Sequence, residues 1–174
     1  MSVNLFLPHE DDPVIWRGPL LAGVINQFWN EVNWGEVDYL LVDLPPGTGD
    51  IPLTVLQTLP VDGIVIVASP QELVKMVVTK AVKMAQRMNK AILGLIENMS
   101  YAVCPHCGEK LEMFGPSRTR ETAEKMSLAF LGELPWDTEI NRLMDQGLIE
   151  TAKSEEAKNI ASQIVSRLSL TDSN

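Results

Sequence analysis

A doubly wound, mostly parallel α/β sheet with helices on both faces is the fold class this sequence predicts. Three observations point to it. Strand-like and helix-like stretches alternate along the chain with short turns between them, the pattern of parallel strands joined by crossover helices. The run Gly63-Ile64-Val65-Ile66-Val67-Ala68 is apolar on both faces, as strands covered by helices on either side are. The apolar run 37–42 leads straight into Asp43-Leu44-Pro45-Pro46-Gly47-Thr48-Gly49-Asp50. An acid at the carboxyl end of a buried strand, followed by a Pro- and Gly-built loop, is how a parallel sheet presents a carboxylate to a nucleotide-bound metal.

The elements follow in order. Val3, Leu5 and Leu7 alternate as a short strand does, and His9-Glu10-Asp11-Asp12-Pro13 ends it as a polar turn. Pro19 suits the first turn of a helix running to about Val32, with Leu20, Leu21, Val24, Ile25, Phe28 and Val32 on one side and Gly35 marking its end. The strand 37–42 comes next. Asp50 then stands where an N-cap belongs, ahead of a helix over about 51–59. Strand 63–68 precedes the clearest helix, 71–88, whose Leu73, Val74, Val77, Val78, Ala81, Val82 and Ala85 recur at i, i+3, i+4 spacing. A strand over 91–96, a long loop, a helix over 117–126, a strand over 128–132 and helices near 138–146 and 154–168 complete the chain, and Leu170 to Asn174 is expected to fray. With no internal repeat and no low-complexity linker, residues 1–174 read as one domain with a metal loop at 101–116.

Composition narrows the function. A chain of 174 residues, 45% of them hydrophobic, is long enough for one well-buried core. A net charge of −9 argues against nucleic acid or an anionic membrane as main partner. No apolar run approaches the roughly 20 residues that span a bilayer. Met1-Ser2-Val3-Asn4 carries no basic segment of the secretory kind, and both cysteines sit in one C-x-x-C, which fits a reducing compartment. Cytoplasm is the expected location.

Cys104-Pro105-His106-Cys107-Gly108 is the second carrier of chemistry. Two residues between thiols let both sulfurs address one metal from a tight turn, and thiolates select zinc or iron–sulfur clusters over hard cations. The pair is half a site, because both kinds of centre usually take four ligands and no second cysteine pair exists. His106, between the cysteines, and His9, in a distant turn, are poor candidates to complete it. A two-fold axis would complete it economically, with Cys104 and Cys107 of each of two subunits making a four-thiolate set. A thioredoxin-like redox pair is disfavoured, since 105–116 does not read as a helix opening. The motif alone leaves zinc and an iron–sulfur cluster level.

Four blocks in order, Trp16-Arg17-Gly18-Pro19, Asp43 to Asp50, Glu97-Asn98-Met99-Ser100 and Cys104 to Gly108, resemble the Mrp/ApbC family of iron–sulfur cluster carriers, relatives of the MinD-type P-loop ATPases, over about Ser2 to Gly147. The family's Gly-rich phosphate loop is not found: no segment reads G-x-x-x-x-G-K-[ST]. The resemblance therefore implies the carboxy-terminal part of a P-loop NTPase-like carrier, with its first strand and phosphate loop missing. It implies a [4Fe-4S] cluster, with zinc the alternative, shared across a homodimer through the C-x-x-C loop and handed to recipient apo iron–sulfur proteins. In the complete carrier it implies ATP with magnesium at the carboxyl end of the sheet. Asp43 would hold magnesium through water, and the loop with Gly47 and Thr48 would sense the γ-phosphate. Asn98 would read the adenine edge, and Pro135 and Asp137, within Leu134-Pro135-Trp136-Asp137, would form the far wall of that pocket. Trp136 stands where a smaller apolar residue is common. Without a phosphate loop this chain alone is expected to lack ATPase activity, and a strand it shares between 37–42 and 63–68 would be missing, leaving edges prone to aggregation. The competing readings are a non-catalytic zinc- or cluster-binding scaffold and a MinD-like membrane-positioning protein; Glu155 and Glu156 in the last helix weigh against the latter.

Overall fold

The computed structural model describes Ser2, Leu5, His9 and residues 18–71 and 74–171. Of the expected strand at 3–7 only Leu5 is described, exposed and in a turn with its N–H on the Ser2 carbonyl at 3.2 Å, and of the polar turn only His9; the rest of both, and the Trp16-Arg17 pair, lie outside the described residues. The chain divides into two compact units, Met1–Pro60 and Val61–Asn174.

In the first unit, helix α1 (Gly18–Asn30) half-buries Leu21, Ala22, Val24, Ile25 and Phe28, one stripe at helical spacing. It packs against α2 (Asp50–Thr58), which buries Pro52, Val55 and Leu56. Pro52 falls in the first turn of α2, where its missing N–H has no intrahelical partner to lose. Gly49, in extended conformation, is the N-cap, and Asp50 is the first helical residue instead of the cap that the sequence suggested. As an acid in the first turn it still complements the helix dipole.

The largest departure from expectation falls between these helices. Residues 37–42 form no strand, and Val37, Tyr39, Leu40, Leu41 and Val42 are exposed, Leu41 at 90%. An extended segment becomes a strand only when a neighbour takes its N–H and C=O groups, and among the described residues none does so here.

The second unit carries the sheet. Strands β1 (Ile64–Ala68) and β2 (Ile92–Glu97) are followed by a small hairpin of β3 (Ala102–Val103) and β4 (Lys110–Leu111), and then by β5 (Phe130–Glu133). Three of these pair in parallel in the order β1-β2-β5. Helices α3 (Val74–Arg87) and α4 (Thr119–Lys125) cover one face, where Ile66, Ala68, Val78, Val82, Leu95 and Ala123 form the main core. The other face is covered by the last helix, α6 (Glu155–Thr171), with Ile160 against Ile96 and Leu131; α5 (Thr138–Asp145) precedes it. Helices on both faces of a parallel sheet are what the apolar strands demanded. Backbone crowding tightens this layer: a Cβ on Gly94 (φ 156°) would lie 2.7 Å from both the Ala129 carbonyl and the Leu131 side chain.

Helix ends explain the short returns to the sheet. Asn89 (φ 54°) ends α3 and Ser127 (φ 55°) ends α4 in the left-handed conformation. The next residue's N–H then reaches back, Lys90 to the Ala85 carbonyl and Leu128 to that of Ala123. That closure satisfies orphan carbonyls without glycine. Helix α5 ends in the same way at Gly147, followed by a 3-10 turn at Ile149–Thr151. Serine caps the start of α6: Ser154 Oγ accepts from the Ala157 N–H at 3.1 Å. The helix continues through Thr171, past the expected point of fraying.

Candidate functional site at the carboxyl edge of the sheet

The carboxyl ends of β1, β2 and β5 continue as a hydrogen-bonded rail beyond the sheet. The Asn98 N–H donates to the Ala68 carbonyl at 2.7 Å, Leu134 N–H to Glu97 at 2.8 Å, Ser100 N–H to Leu134 at 3.0 Å and Trp136 N–H to Tyr101 at 2.7 Å. A parallel bridge between Ala102 and Trp136 ends the rail. The segment Glu97–Ala102 thus runs beside Glu133–Trp136, which brings Asn98 alongside Leu134 and Pro135. Trp136, 44% exposed, occupies the rung next to the cysteine hairpin.

The cysteine segment has more structure than a loop. Strand β3 pairs antiparallel with β4, and the Cys104 N–H donates to the Glu109 carbonyl at 2.9 Å. The Gly108 N–H returns to the Cys104 carbonyl at 2.9 Å, with Gly108 at φ 73°, where a Cβ would be strained. The result is a tight turn at the tip of a hairpin. Lys110 lies over the buried Tyr101 ring, 3.8 Å from its centroid, which fixes the return strand to the rail.

Cys104 and Cys107 are both free thiols, the first half-exposed and the second exposed. The backbone N–H of Cys107, that of His106 and the Cys107 side chain hold the Cys104 thiol below its ordinary pKa, with slight burial opposing them. Amide donors aimed at a sulfur stabilise its thiolate, the form that binds metal. Among the described residues, no three His, Cys, Asp or Glu side chains gather into a metal-holding group. The thiols suit a soft metal or an iron–sulfur cluster, and one chain supplies two of the four ligands such centres usually take.

The other predicted residues are placed as follows. Asp43, Gly47 and Thr48 belong to the first unit and are exposed; Asn98, Pro135 and Asp137 belong to the second. Gly47 (φ 93°) uses glycine's freedom, whereas Gly49 (φ −77°) does not. Asn98 Oδ1 accepts from the Met99 N–H at 3.0 Å, with Met99 itself left-handed (φ 56°), so the carbonyl end of the amide holds a turn. Asp137 is the N-cap of α5, its Oδ1 accepting from the N–H groups of Glu139 at 2.8 Å and Ile140 at 3.4 Å. Arg120, in the first turn of α4, stacks 4.3 Å from the centroid of Phe130 and pairs with Glu133 at 3.9 Å. A cavity of about 510 Å³ opens between α3 and α4, lined by Ser69, Gln71, Phe114 and Arg118 among others, and none of the predicted site residues borders it.

Sequence reasoning missed Glu97. It singled out the Glu97–Ser100 block for Asn98, yet Glu97 is fully buried and accepts from two serines, Ser100 and Ser117. The available signal was an acid closing an otherwise apolar strand, with hydroxyls flanking the cysteine loop.

An open parallel sheet with helices on both faces and ligand-bearing loops at its carboxyl edge defines a nucleotide-binding α/β protein of the P-loop NTPase kind. A solved structure described as a nucleotide-binding protein from Archaeoglobus fulgidus in complex with ADP, with Co found by PIXE, is similar to it. The two share 47% sequence identity and a TM-score of 0.72, over 79% of this chain and 56% of that one. The family model described as ParA, NUBPL iron-transfer P-loop NTPase, matches residues 1–169, and the chain belongs to that family. An iron-sulfur cluster carrier protein of Clostridium perfringens is 47% identical over 86% of this chain and 52% of its own length. One of Methanocaldococcus jannaschii is 43% identical over 97% and 60%, and the iron-sulfur cluster transfer protein NUBPL of Dictyostelium discoideum is 41% identical over 95% and 53%. The chain therefore spans a little over half the length of these relatives. Among the described residues no helix is long and apolar enough to cross a membrane.

Proposed function

We propose that the chain is the cluster-holding part of an iron–sulfur cluster carrier, in which Cys104 and Cys107 from two copies bind one [4Fe-4S] cluster as cargo for recipient apoproteins. The observation that carries this reading is the exposed hairpin tip. Two free thiols sit there, one favoured as thiolate by backbone amides, with no further ligand gathered beside them among the described residues. A pair so placed is accessible to a second copy and to an acceptor protein, which a buried structural zinc site would not be. The names of the relatives support the same cargo.

The nucleotide enters the proposal through the family and through the ADP-bound neighbour. In the complete carrier, within one nucleotide-binding domain, Asp43 would hold magnesium through water, and Gly47 and Thr48 would follow the γ-phosphate. Asn98 would meet the base with its NH₂ end, since its carbonyl holds the Met99 turn. Pro135 would pack beside the base, and Asp137 would act through its cap on α5. The 174-residue chain alone, with no G-x-x-x-x-G-K-[ST] segment, is expected to show no ATP turnover.

The test is the ultraviolet–visible spectrum and the iron, sulfide and zinc content of anaerobically purified protein. A brown sample with equal iron and sulfide and a cluster shared by two chains is the expected result. Colourless protein holding zinc, or no metal after reconstitution with iron and sulfide, would overturn it.

A further inference from the structure

The segment 101–116 that carries the thiols begins just after Ser100 and ends just before Ser117, and both serines converge on one carboxylate. Ser100 Oγ donates to Glu97 Oε1 at 2.5 Å, and Ser117 Oγ donates to Glu97 Oε2 at 2.5 Å. Ser117 Oγ also accepts from the Thr119 N–H at 3.2 Å, in the first turn of α4. Glu97 is fully buried and Ser100 nearly so, whereas Ser117 lies at the surface.

From this arrangement we infer that Glu97 is the positioning residue of the thiol hairpin, a carboxylate clamp that fastens both ends of 101–116 to the end of β2. The near end of the segment has other support, because the rail from Leu134 to Trp136 holds residues 100–102 by backbone hydrogen bonds. At the far end, where the chain turns from Pro116 into α4, the Ser117 hydroxyl adds a hydrogen bond to β2 beside the packing of α4 on that strand. With one serine hydroxyl on each oxygen, the sheltered carboxyl group has both of its oxygens paired, which suits this closing role. Glu97 directly precedes Asn98, so the clamp and the Asn98–Met99 turn share one stretch of backbone.

The inference builds on the reading of Cys104 and Cys107 as cargo ligands, and its test separates the two. Hydrogen–deuterium exchange of the full chain is measured for wild type, Glu97→Gln, Ser117→Ala and Ser117→Thr. The expected result is that peptides within 101–116 exchange at least tenfold faster in Glu97→Gln and Ser117→Ala. Peptides from β1 and α6 should keep wild-type rates, and Ser117→Thr, which retains the hydroxyl, should restore the slow exchange. After anaerobic reconstitution, the same two loosened variants should lose iron to a chelator several-fold faster at unchanged initial loading. Exchange in 101–116 within twofold of wild type in both variants overturns the clamp, as does acceleration spread evenly over β1 and α6. Absence of iron in the wild type would instead sink the cargo reading, and the exchange data would still decide the clamp.

Discussion

Residues 37–50 and residues 97–117 are both stretches to which the sequence assigned chemistry, and the structure treats them in opposite ways. The former has the stronger motif, an apolar run ending in Asp43 with prolines and glycines behind it, yet it forms no ladder and leaves its apolar side chains exposed. The latter reads from its residues as plain loop, yet it is a hairpin tied by a backbone rail, an aromatic–cation contact and a buried carboxylate. The difference is where the partners are. The hairpin finds its own within a few residues and along β5, whereas an extended run needs a neighbouring strand to become one. A motif can name a chemistry without containing the contacts that shape it.

The strongest way to break this comparison is at the hairpin tip. Cys104→Ser or Cys107→Ser should lower the iron bound after reconstitution by more than tenfold, because each removes half of what one chain would supply to the proposed shared site. Retention of iron by either variant would show that the thiols are not the ligands. The fold should survive, since both side chains sit at the surface of a turn.

A further test asks how tightly the sheet under the hairpin is determined. Gly94→Ala places a methyl 2.7 Å from the Ala129 carbonyl and the Leu131 side chain at φ 156°. Overpacking and backbone strain together should cost on the order of 3 kcal/mol in denaturant melts. A loss under about 1 kcal/mol would mean that β2 and β5 can move apart easily, and the rail with them.

How much of this was legible follows from the same contrast. The strands 64–68 and 92–97 and the helix 74–87 were readable because unbroken apolar runs and helical spacing are written in consecutive residues, although Val67 of the first strand stays exposed. The ends of that helix and of α4 were blurred by caps that use Asn89 and Ser127 in place of glycine. The thiol pair was readable from its spacing, but the β3–β4 hairpin was not, since two-residue strands carry no periodicity. Glu97 was hidden because its partners lie three and twenty residues away, and only the fold brings the farther one near. Asp137 was assigned to a nucleotide pocket, and its capping of α5, a local role that Asp before a helix commonly plays, was overlooked.

A smaller effect sharpens the chemistry of the tip. The N–H groups of Cys107 and His106 favour the Cys104 thiolate, so its folded-state pKa lies below the ordinary thiol value of 9.0. Those bonds favour the folded state at pH above the unfolded thiol's pKa, and the contribution disappears as pH falls through the folded one. Alkylation of Cys104 in a Cys107→Ser background should therefore show its half-maximal rate below the ordinary value of 9.0, and unfolding in urea should move it upward. The variant loses the Cys107 side-chain bond but keeps both backbone donors, so the downward shift should persist in reduced form. A profile identical in native and unfolded protein would remove the amide cradle from the account.

The smallest expected change tests the other stretch. Leu41 is 90% exposed in a segment without a ladder. Leu41→Thr should then alter unfolding free energy by less than about 0.5 kcal/mol, as surface substitutions away from packed features do. It should also reduce self-association, because exposed β-branched and aromatic residues such as Val37, Tyr39 and Val42 beside it make an adhesive extended run. If the substitution instead costs about 2 kcal/mol or more, Leu41 is buried in solution, since that is the range for truncating a packed leucine. The run 37–42 would then be seated against a neighbour after all, and the contrast between the two stretches would reduce to which of them carries its partner within its own unit.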